Sequence, residues 1–196
     1  MQKFLCAVLL STASATGAFA QDAKPASDTT IAAQRNMAAQ LPVEDGRDLE
    51  FADRGFMGSL ADPIIRNKDG KPVWNLGAYD WMGNGASPDT VNPSLWRHMG
   101  ILRKHGLYAV TDNMWQVRGF DVSNMTIIKG QTGWIIIDPL TSRDTAAAAL
   151  KLVNEKLGTR PVSAVIYSHS HGDHFGGVLG VISAQDAVAR KVPVIA

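Results

Sequence analysis

The sequence has very little cysteine and almost no excess charge of either sign. Cys6 is the single cysteine among 196 residues, and it lies in an amino-terminal segment that we expect to be removed. The mature chain therefore has no disulfide and no thiolate, so any metal site must use His, Asp and Glu. The formal net charge is +1, and no Lys or Arg run interrupts the chain, which argues against nucleic acid as a partner.

The first twenty residues have the pattern of a secretory signal peptide. Lys3 gives a positive start, an apolar run covers residues 4–10, and Ala18-Phe19-Ala20 forms a small-residue cleavage site. We predict cleavage after Ala20 and a periplasmic or secreted protein. An amphipathic first helix is the alternative, but the segment has no polar face at helical spacing. No later stretch approaches the ~20 apolar residues of a transmembrane helix, so no stable membrane insertion is expected after cleavage.

Apolar periodicity and turn residues predict a mixed α/β domain. We divide the mature chain into a leader with a peripheral helix, residues 21–48, and a globular part, residues 49–196. The predicted helices run from a cap at Asp28 through residue 39, over 93–105 after a cap at Asn92, and over 143–157 after a cap at Ser142. The predicted strands are 64–66 and 73–76, paired as a hairpin, then 107–110, 115–117, 125–129, 134–137 and 162–167. Strand, helix and strand between residues 134 and 167 predict a crossover between parallel neighbours.

A histidine cluster follows the last of these strands. The segment HSHGDH, residues 169–174, holds three of the five His of the chain and one carboxylate within six positions. Ligands bind at the carboxyl ends of strands in α/β sheets. Crowded imidazoles raise one another's cost of protonation unless something shares their lone pairs. A solvent-facing loop is the alternative, and we interpret the cluster as a metal site.

The spacing within the cluster predicts two metal ions. In an extended stretch His169 and His171 point the same way and can share one ion, whereas the turn after Gly172 can aim Asp173 and His174 at a second ion. The donors are nitrogen and oxygen only, which favours two Zn²⁺, and the same donors also suit manganese or iron.

The pattern H-x-H-x-D-H of His169, His171, Asp173 and His174 resembles the metal signature of the metallo-β-lactamase fold. In that fold a hydroxide held by two metals attacks an ester, amide or related bond. The apolar run 135–137 followed by Asp138 is similar to an earlier strand of the fold that ends in Asp. The resemblance implies that Asp138 lies behind the metal ligands, where a carboxylate orients ligating His rings. Capping of the following turn is the alternative.

Further segments are similar to the alkyl sulfatases that degrade detergents such as dodecyl sulfate. These segments are TVNPSLWR from Thr90, QVRG from Gln116, SNMT from Ser123, TGW from Thr132, and YSHSH from Tyr167 followed by DHFGG. The similarity covers most of residues 49–196. Ser168 and Gly172 stand where the family is expected to have Thr and Val, and neither position is a ligand.

The resemblance implies a metallo-β-lactamase-like αββα sandwich of α+β or α/β class, with only the amino-terminal half present. It implies a zinc-dependent sulfuric ester hydrolase that converts small-molecule primary alkyl sulfates, such as dodecyl sulfate, to alcohol and sulfate. Asp173 is then both a ligand and a catalytic residue. No substrate-binding residue is assigned from the sequence, and a homodimer is expected for the full-length protein.

The number of ligands leads us to expect a fragment. Four protein ligands are too few for two zinc ions, since a catalytic zinc normally has three. In the family two acidic residues and a further His complete the metal shell downstream. We therefore expect the amino-terminal part of a longer protein. The alternatives are another hydrolase of this fold, acting on a β-lactam, lactone or thioester, or an inactive truncated fragment.

Other candidates have structural explanations that carry at least equal weight. His98 and His105 lie seven residues apart, on one face of a predicted helix. They are either extra metal ligands or ordinary histidines that lie at the surface or pack in the core. Arg97, Arg118 and Asn124 could contribute to an anionic pocket, because a guanidinium forks onto sulfate oxygens, or they form structural ion pairs. Trp74, Trp81 and Trp115 are more typical of a core than of contacts with an alkyl chain.

Overall fold

The computed structural model describes residues 24–41, 46–83 and 85–196. The predicted signal peptide, residues 1–20, lies outside this part of the chain. Within it, no helix combines the length and the apolar character that a membrane span requires.

One seven-stranded mixed sheet forms the centre of the molecule, and a two-stranded hairpin lies beside it. The strands of the large sheet follow the order β1-β4-β5-β6-β7-β8-β9. Their bounds are β1 Phe56–Gly58, β4 Gly106–Thr111, β5 Met114–Arg118, β6 Met125–Lys129, β7 Trp134–Ile137, β8 Val162–Ile166 and β9 Val194–Ile195. The hairpin pairs β2 Ile64–Arg66 with β3 Pro72–Asn75. Neighbours from β1 to β7 are antiparallel, and β7, β8 and β9 are parallel.

Six helices accompany the sheet within the described residues. They are α1 Asp28–Gln40, α2 Arg47–Asp53, α3 Pro93–Leu102, α4 Arg143–Leu157, α5 Val178–Val181 and α6 Ala184–Ala189. Helix α4 connects β7 to β8, so the predicted crossover between parallel neighbours is confirmed. The α4 helix begins where predicted because the Ser142 side chain accepts a hydrogen bond from the Thr145 amide at 3.1 Å.

The core lies between α4 and the sheet. Helix α4 buries Thr145, Ala146, Ala149, Leu152 and Val153, and these small and medium side chains let the helix approach the strands closely. Trp134 of β7 is 1% exposed, and its indole N–H donates to Asn154 Oδ1 of α4 at 2.8 Å. A single buried aromatic residue therefore joins the crossover helix to the strand that precedes it.

Most predicted elements are present, and the differences lie at their ends. Helix α1 is capped by Ser27 and not by Asp28, because the Ser27 hydroxyl accepts from the Thr30 amide at 3.2 Å. Helix α3 ends at Leu102, three residues before the predicted end, and Arg103 is its C-cap. The short elements β1, α2 and α6 were not predicted, because none of them is long enough to show a clear apolar period.

Candidate metal site

The histidine cluster and Asp138 meet at the carboxyl ends of two adjacent parallel strands. Ile137 of β7 pairs with Ile166 of β8, so the residues that follow these strands emerge side by side. Asp138 follows β7 directly, and the histidine segment begins three residues after the end of β8. This topology brings together residues about thirty positions apart in the chain, because ligands and their neighbours gather at the carboxyl ends of parallel strands.

The Asp138 carboxylate accepts hydrogen bonds from the start of the histidine segment. Ser168 donates from its amide to Oδ1 at 2.7 Å and from its hydroxyl to Oδ2 at 2.6 Å, and His174 Nδ1 lies 2.8 Å from Oδ2. Burial raises the pKa of the Asp138 carboxyl, but the hydrogen bonds from Ser168 and His174 outweigh burial and lower the pKa below its usual value. Asp138 does not use its side chain to cap the next turn, and its φ of 56° is unusual for a residue other than glycine.

The four predicted ligands lie in two pairs. His169 Nε2 lies 3.1 Å from His171 Nδ1, and His174 Nε2 lies 3.2 Å from Asp173 Oδ2. The rings of His169 and His174 are also adjacent, with centroids 4.0 Å apart. The structure therefore brings together all four residues predicted as ligands, in the same two pairs that the spacing suggested. Their role as ligands stays a prediction.

The donor chemistry and spacing fit a divalent cation in each pair. Two ligands of a tetrahedral zinc, each about 2.0–2.1 Å from the ion, lie about 3.3 Å apart, close to the 3.1 Å and 3.2 Å of the two pairs. Within residues 24–41, 46–83 and 85–196, no group of three His, Cys, Asp or Glu side chains is arranged to hold one ion. The described residues would thus supply two donors for each predicted ion, one fewer than a catalytic zinc normally has.

A loop between β5 and β6 holds the histidine segment from the opposite side. The Ser123 hydroxyl donates to the backbone carbonyl of Asp173. Asp121, which is 7% exposed, accepts from the hydroxyls of Thr141 at 2.5 Å and Thr145 at 2.6 Å and from the Val122 amide at 2.6 Å. The loop is thereby fixed to the start of α4 and to the metal segment.

Sequence reasoning missed the roles of Asp121 and Ser123. Ser123 belongs to a segment that resembles the alkyl sulfatases, and this resemblance was the only indication in the sequence of its role. Asp121 carries no motif of its own, and its partners Thr141 and Thr145 lie twenty or more residues away.

Two glycines let the segment after the cluster lie directly on the β7–α4 connection. A Cβ on Gly176 would lie 2.3 Å from the Thr141 carbonyl oxygen, and one on Gly177 would lie 2.1 Å from the Pro139 carbonyl oxygen. Only glycine allows this approach. Helix α5 begins directly after these glycines, at Val178, and has four residues.

The remaining candidates are engaged elsewhere. His105 Nδ1 lies 2.6 Å from Ser59 Oγ, and His98 lines a groove between α2 and α3. Arg97 forms an ion pair with Asp48 at 2.5 Å, and the Arg118 guanidinium lies 4.5 Å from the centre of the Tyr108 ring. Neither arginine is directed at the histidine cluster by these contacts, which favours their structural interpretation.

The tryptophans divide between core and surface. Trp115 is buried, with 9% exposure, and Trp74 donates its indole N–H to the Gly119 carbonyl at 3.1 Å. Trp81 is 71% exposed, so its prediction as a core residue was wrong. Its ring instead meets Trp96 of α3 edge to face, with centroids 6.0 Å apart.

Comparison with known proteins finds the same resemblance as the motifs. Residues 118–196 match the Metallo-beta-lactamase superfamily. The chain is 44% identical over 178 residues to an alkyl/aryl-sulfatase of Saccharomyces cerevisiae, a match that covers 91% of this chain and 27% of the relative. It is also 44% identical to a linear primary-alkylsulfatase of Pseudomonas sp, with 90% and 26% covered.

The fold agrees with a solved structure. The stereoselective inverting sec-alkylsulfatase of Pseudomonas sp. superposes with a TM-score of 0.82 at 44% identity, and the match covers 88% of this chain and 27% of that chain. The predicted fold class is confirmed, and the chain spans about a quarter of the length of the curated relatives. The resemblance predicted from the motifs is thus confirmed: over most of its length, the chain is similar in sequence and fold to the alkylsulfatases of the metallo-β-lactamase superfamily.

Proposed function

We propose that this chain forms part of the metal centre of an alkyl sulfate ester hydrolase. The observation that carries the proposal is the pairing of donors His169 with His171 and Asp173 with His174, at 3.1 Å and 3.2 Å. These pairs lie at the ends of β7 and β8 in a chain about 44% identical to alkylsulfatases. The fold itself favours metal dependence, and we propose two Zn²⁺ as the ions.

The chain's own residues have separate tasks in this proposal. His169 and His171 hold one ion, and Asp173 and His174 hold the second. We propose that Asp173 also holds the attacking water, and the 29% exposure of its side chain supports this role. Zinc, when bound, lowers the pKa of its water towards about 7 and places positive charge beside the sulfate. Asp138 and Ser123 keep the segment in place through their contacts with His174 and Asp173.

We propose primary alkyl sulfates such as dodecyl sulfate as the substrate class, in a protein exported through the signal peptide of residues 1–20. The name of one relative, a linear primary-alkylsulfatase, supports this class. Full-length protein is proposed to form a homodimer. Mass spectrometry of the exported protein checks the export proposal, because cleavage after Ala20 leaves Gln21 as the first residue.

The test of function is sulfate release by the longest protein that the parent gene encodes. Zinc-loaded protein is expected to release sulfate from dodecyl sulfate, and Asp173→Ala is expected to lose most of the activity. Asp112→Ala, a change of an exposed carboxylate in the turn between β4 and β5, is the matched control. Hydrolysis of a chromogenic cephalosporin, a lactone or a thioester, without sulfate release, would contradict the proposal and favour another hydrolase of the same fold.

A further inference from the structure

A continuous chain of hydrogen bonds connects Asp138 to the first histidine of the cluster. The Ser168 hydroxyl lies 2.6 Å from Asp138 Oδ2 and 3.0 Å from His169 Nδ1. His174 reaches the same carboxylate oxygen directly through its Nδ1, at 2.8 Å. The Asp138 carboxylate therefore contacts His174 directly and is connected to His169 through the Ser168 hydroxyl.

The chemistry of the groups fixes the direction of each bond. An ionised carboxylate only accepts, and a serine hydroxyl has a single proton to donate. Since Ser168 donates that proton to Asp138, its oxygen can only accept from His169, and Nδ1 of His169 must carry a proton. The same argument places a proton on Nδ1 of His174. In the neutral form of either ring, which is the form that binds a metal, Nε2 then carries the lone pair.

Those two Nε2 atoms belong to the two donor pairs. His169 Nε2 faces His171 Nδ1 at 3.1 Å, and His174 Nε2 faces Asp173 Oδ2 at 3.2 Å. A histidine binds a metal through the nitrogen that lacks a proton, and the hydrogen bond of the other nitrogen decides which one that is. Asp138 thus acts on one ligand of each pair.

We propose that Ser168 is a positioning residue, whose hydroxyl extends the action of Asp138 to His169, so that one carboxylate sets the proton position of a ligand in both donor pairs. The importance of this proton position rests on the proposed metal site, whereas the proton position itself is a property of the metal-free protein. Position 168 is thereby limited to Ser or Thr, because both side chains carry a hydroxyl at the γ position and alanine does not.

The proton positions can be measured directly on the metal-free, ¹⁵N-labelled full chain at about pH 8, above the pKa of about 6.5 of a histidine in a model peptide. Long-range ¹H–¹⁵N correlation spectra distinguish the two neutral tautomers, and His→Gln variants assign the signals. Wild type is expected to show His169 and His174 protonated at Nδ1. Ser168→Ala is expected to shift His169 towards the Nε2–H form and leave His174 unchanged, while Ser168→Thr keeps the wild-type spectrum.

Ser170→Ala is the matched control, because Ser170 lies in the same loop but not in the chain of hydrogen bonds from Asp138. The inference is overturned if wild-type His169 carries its proton on Nε2, or if Ser168→Ala leaves the His169 tautomer unchanged. Ser168→Thr guards against a general loss of structure, since it changes the side chain at the same place and is expected to retain the tautomer.

Metal affinity separates this inference from the proposed function. Ser168→Ala is expected to bind cobalt(II), followed by its visible absorption, about 10- to 100-fold more weakly than wild type, as for other groups behind metal ligands, and Ser168→Thr is expected to bind like wild type. Equal affinity of wild type and Ser168→Ala would overturn the inference and leave the function standing. If wild type binds no cobalt or zinc, the proposed function fails, and the tautomer spectra still decide the role of Ser168.

Discussion

His105 is a titratable residue away from the metal cluster whose environment links stability to pH. Burial lowers its pKa, and the Asp80 carboxylate raises it by a smaller amount. The unfolded chain, with a His pKa of about 6.5, therefore binds more protons than the folded chain as the pH falls through that value. Stability from this site is thus present above about pH 6.5 and is lost on acidification.

We therefore expect His105→Gln to flatten the pH dependence of stability. Urea denaturation between about pH 5 and pH 7 measures the free energy of unfolding across the relevant window. The variant's free energy should change less with pH than that of wild type. His98→Gln, in α3, controls for loss of a histidine from this region, and an unchanged slope in His105→Gln would contradict the prediction.

Asp121 is expected to be the most sensitive carboxylate outside the cluster, because it is buried and accepts from Thr141, Thr145 and the Val122 amide. Asp121→Ala leaves these donors without their acceptor, at a cost of about 1–3 kcal/mol or more. Denaturant unfolding should show this loss, and Asp112→Ala, at an exposed position, should change stability little. Similar midpoints for both variants would refute the assigned role of Asp121.

Single residues differ in how far the sequence alone reveals them. His169, His171, Asp173 and His174 could be predicted because six consecutive positions contain all four donors and their spacing decides how they point. The contribution of Asp121 could not be predicted, because its partners come from a connection twenty residues further along the chain. A group of ligands that are close together in the sequence can be predicted from the sequence. A buried hydrogen-bond network between distant segments depends on the fold that brings those segments together.

At the scale of elements, prediction worked where the apolar period was long or where a cap and a breaker enclosed it. Helix α4 runs from Arg143 to Leu157 as predicted, between Ser142 and Gly158. Strands β6 and β7 also have their predicted bounds. Helix α3 ends before its predicted end, where the amides of Arg103 and Lys104 donate to the carbonyls of Met99 and Ile101. Tertiary packing, which the local sequence does not contain, decides such ends.

The contact of α5 with the start of α4 predicts opposite effects for two glycine-to-alanine changes. A Cβ on Gly177 would meet the Pro139 and Ser142 carbonyl oxygens at 2.1 Å and 2.6 Å, whereas one on Gly100 in α3 would meet no atom within 4 Å. Gly177→Ala is expected to destabilise by about 1–3 kcal/mol through overpacking. Gly100→Ala is expected to stabilise by about 0.5–1 kcal/mol, because glycine is unfavourable inside a helix.

Thermal unfolding of both variants tests this prediction, and the Gly177→Ala variant should also bind cobalt(II) more weakly. The second effect is expected because Gly177 lies three residues after His174 and fixes the segment that carries it. A stabilised Gly177→Ala variant would show that the close approach of α5 to the β7–α4 connection is not required.

At the scale of the whole molecule, the proposed zinc binding can be tested through its effect on global stability. A ligand that binds only the folded chain stabilises it by about 2.7 kcal/mol at a concentration 100 times its Kd. The chain should therefore unfold at a higher temperature as zinc is added. Because no group of three His, Cys, Asp or Glu side chains is arranged to hold one ion within the described residues, saturation should require more zinc than a site with three protein ligands.

The two donor pairs make the stoichiometry informative. Replacing His169 and His171 together by Ala is expected to remove one of two bound ions, replacing Asp173 and His174 together is expected to remove the other, and the fourfold variant should bind neither. Equilibrium dialysis followed by plasma emission spectroscopy counts the ions, and His98→Ala, outside the cluster, should keep both. A wild-type chain that binds a single ion, lost in either double variant, would contradict the two-pair arrangement, because all four donors would then serve one metal.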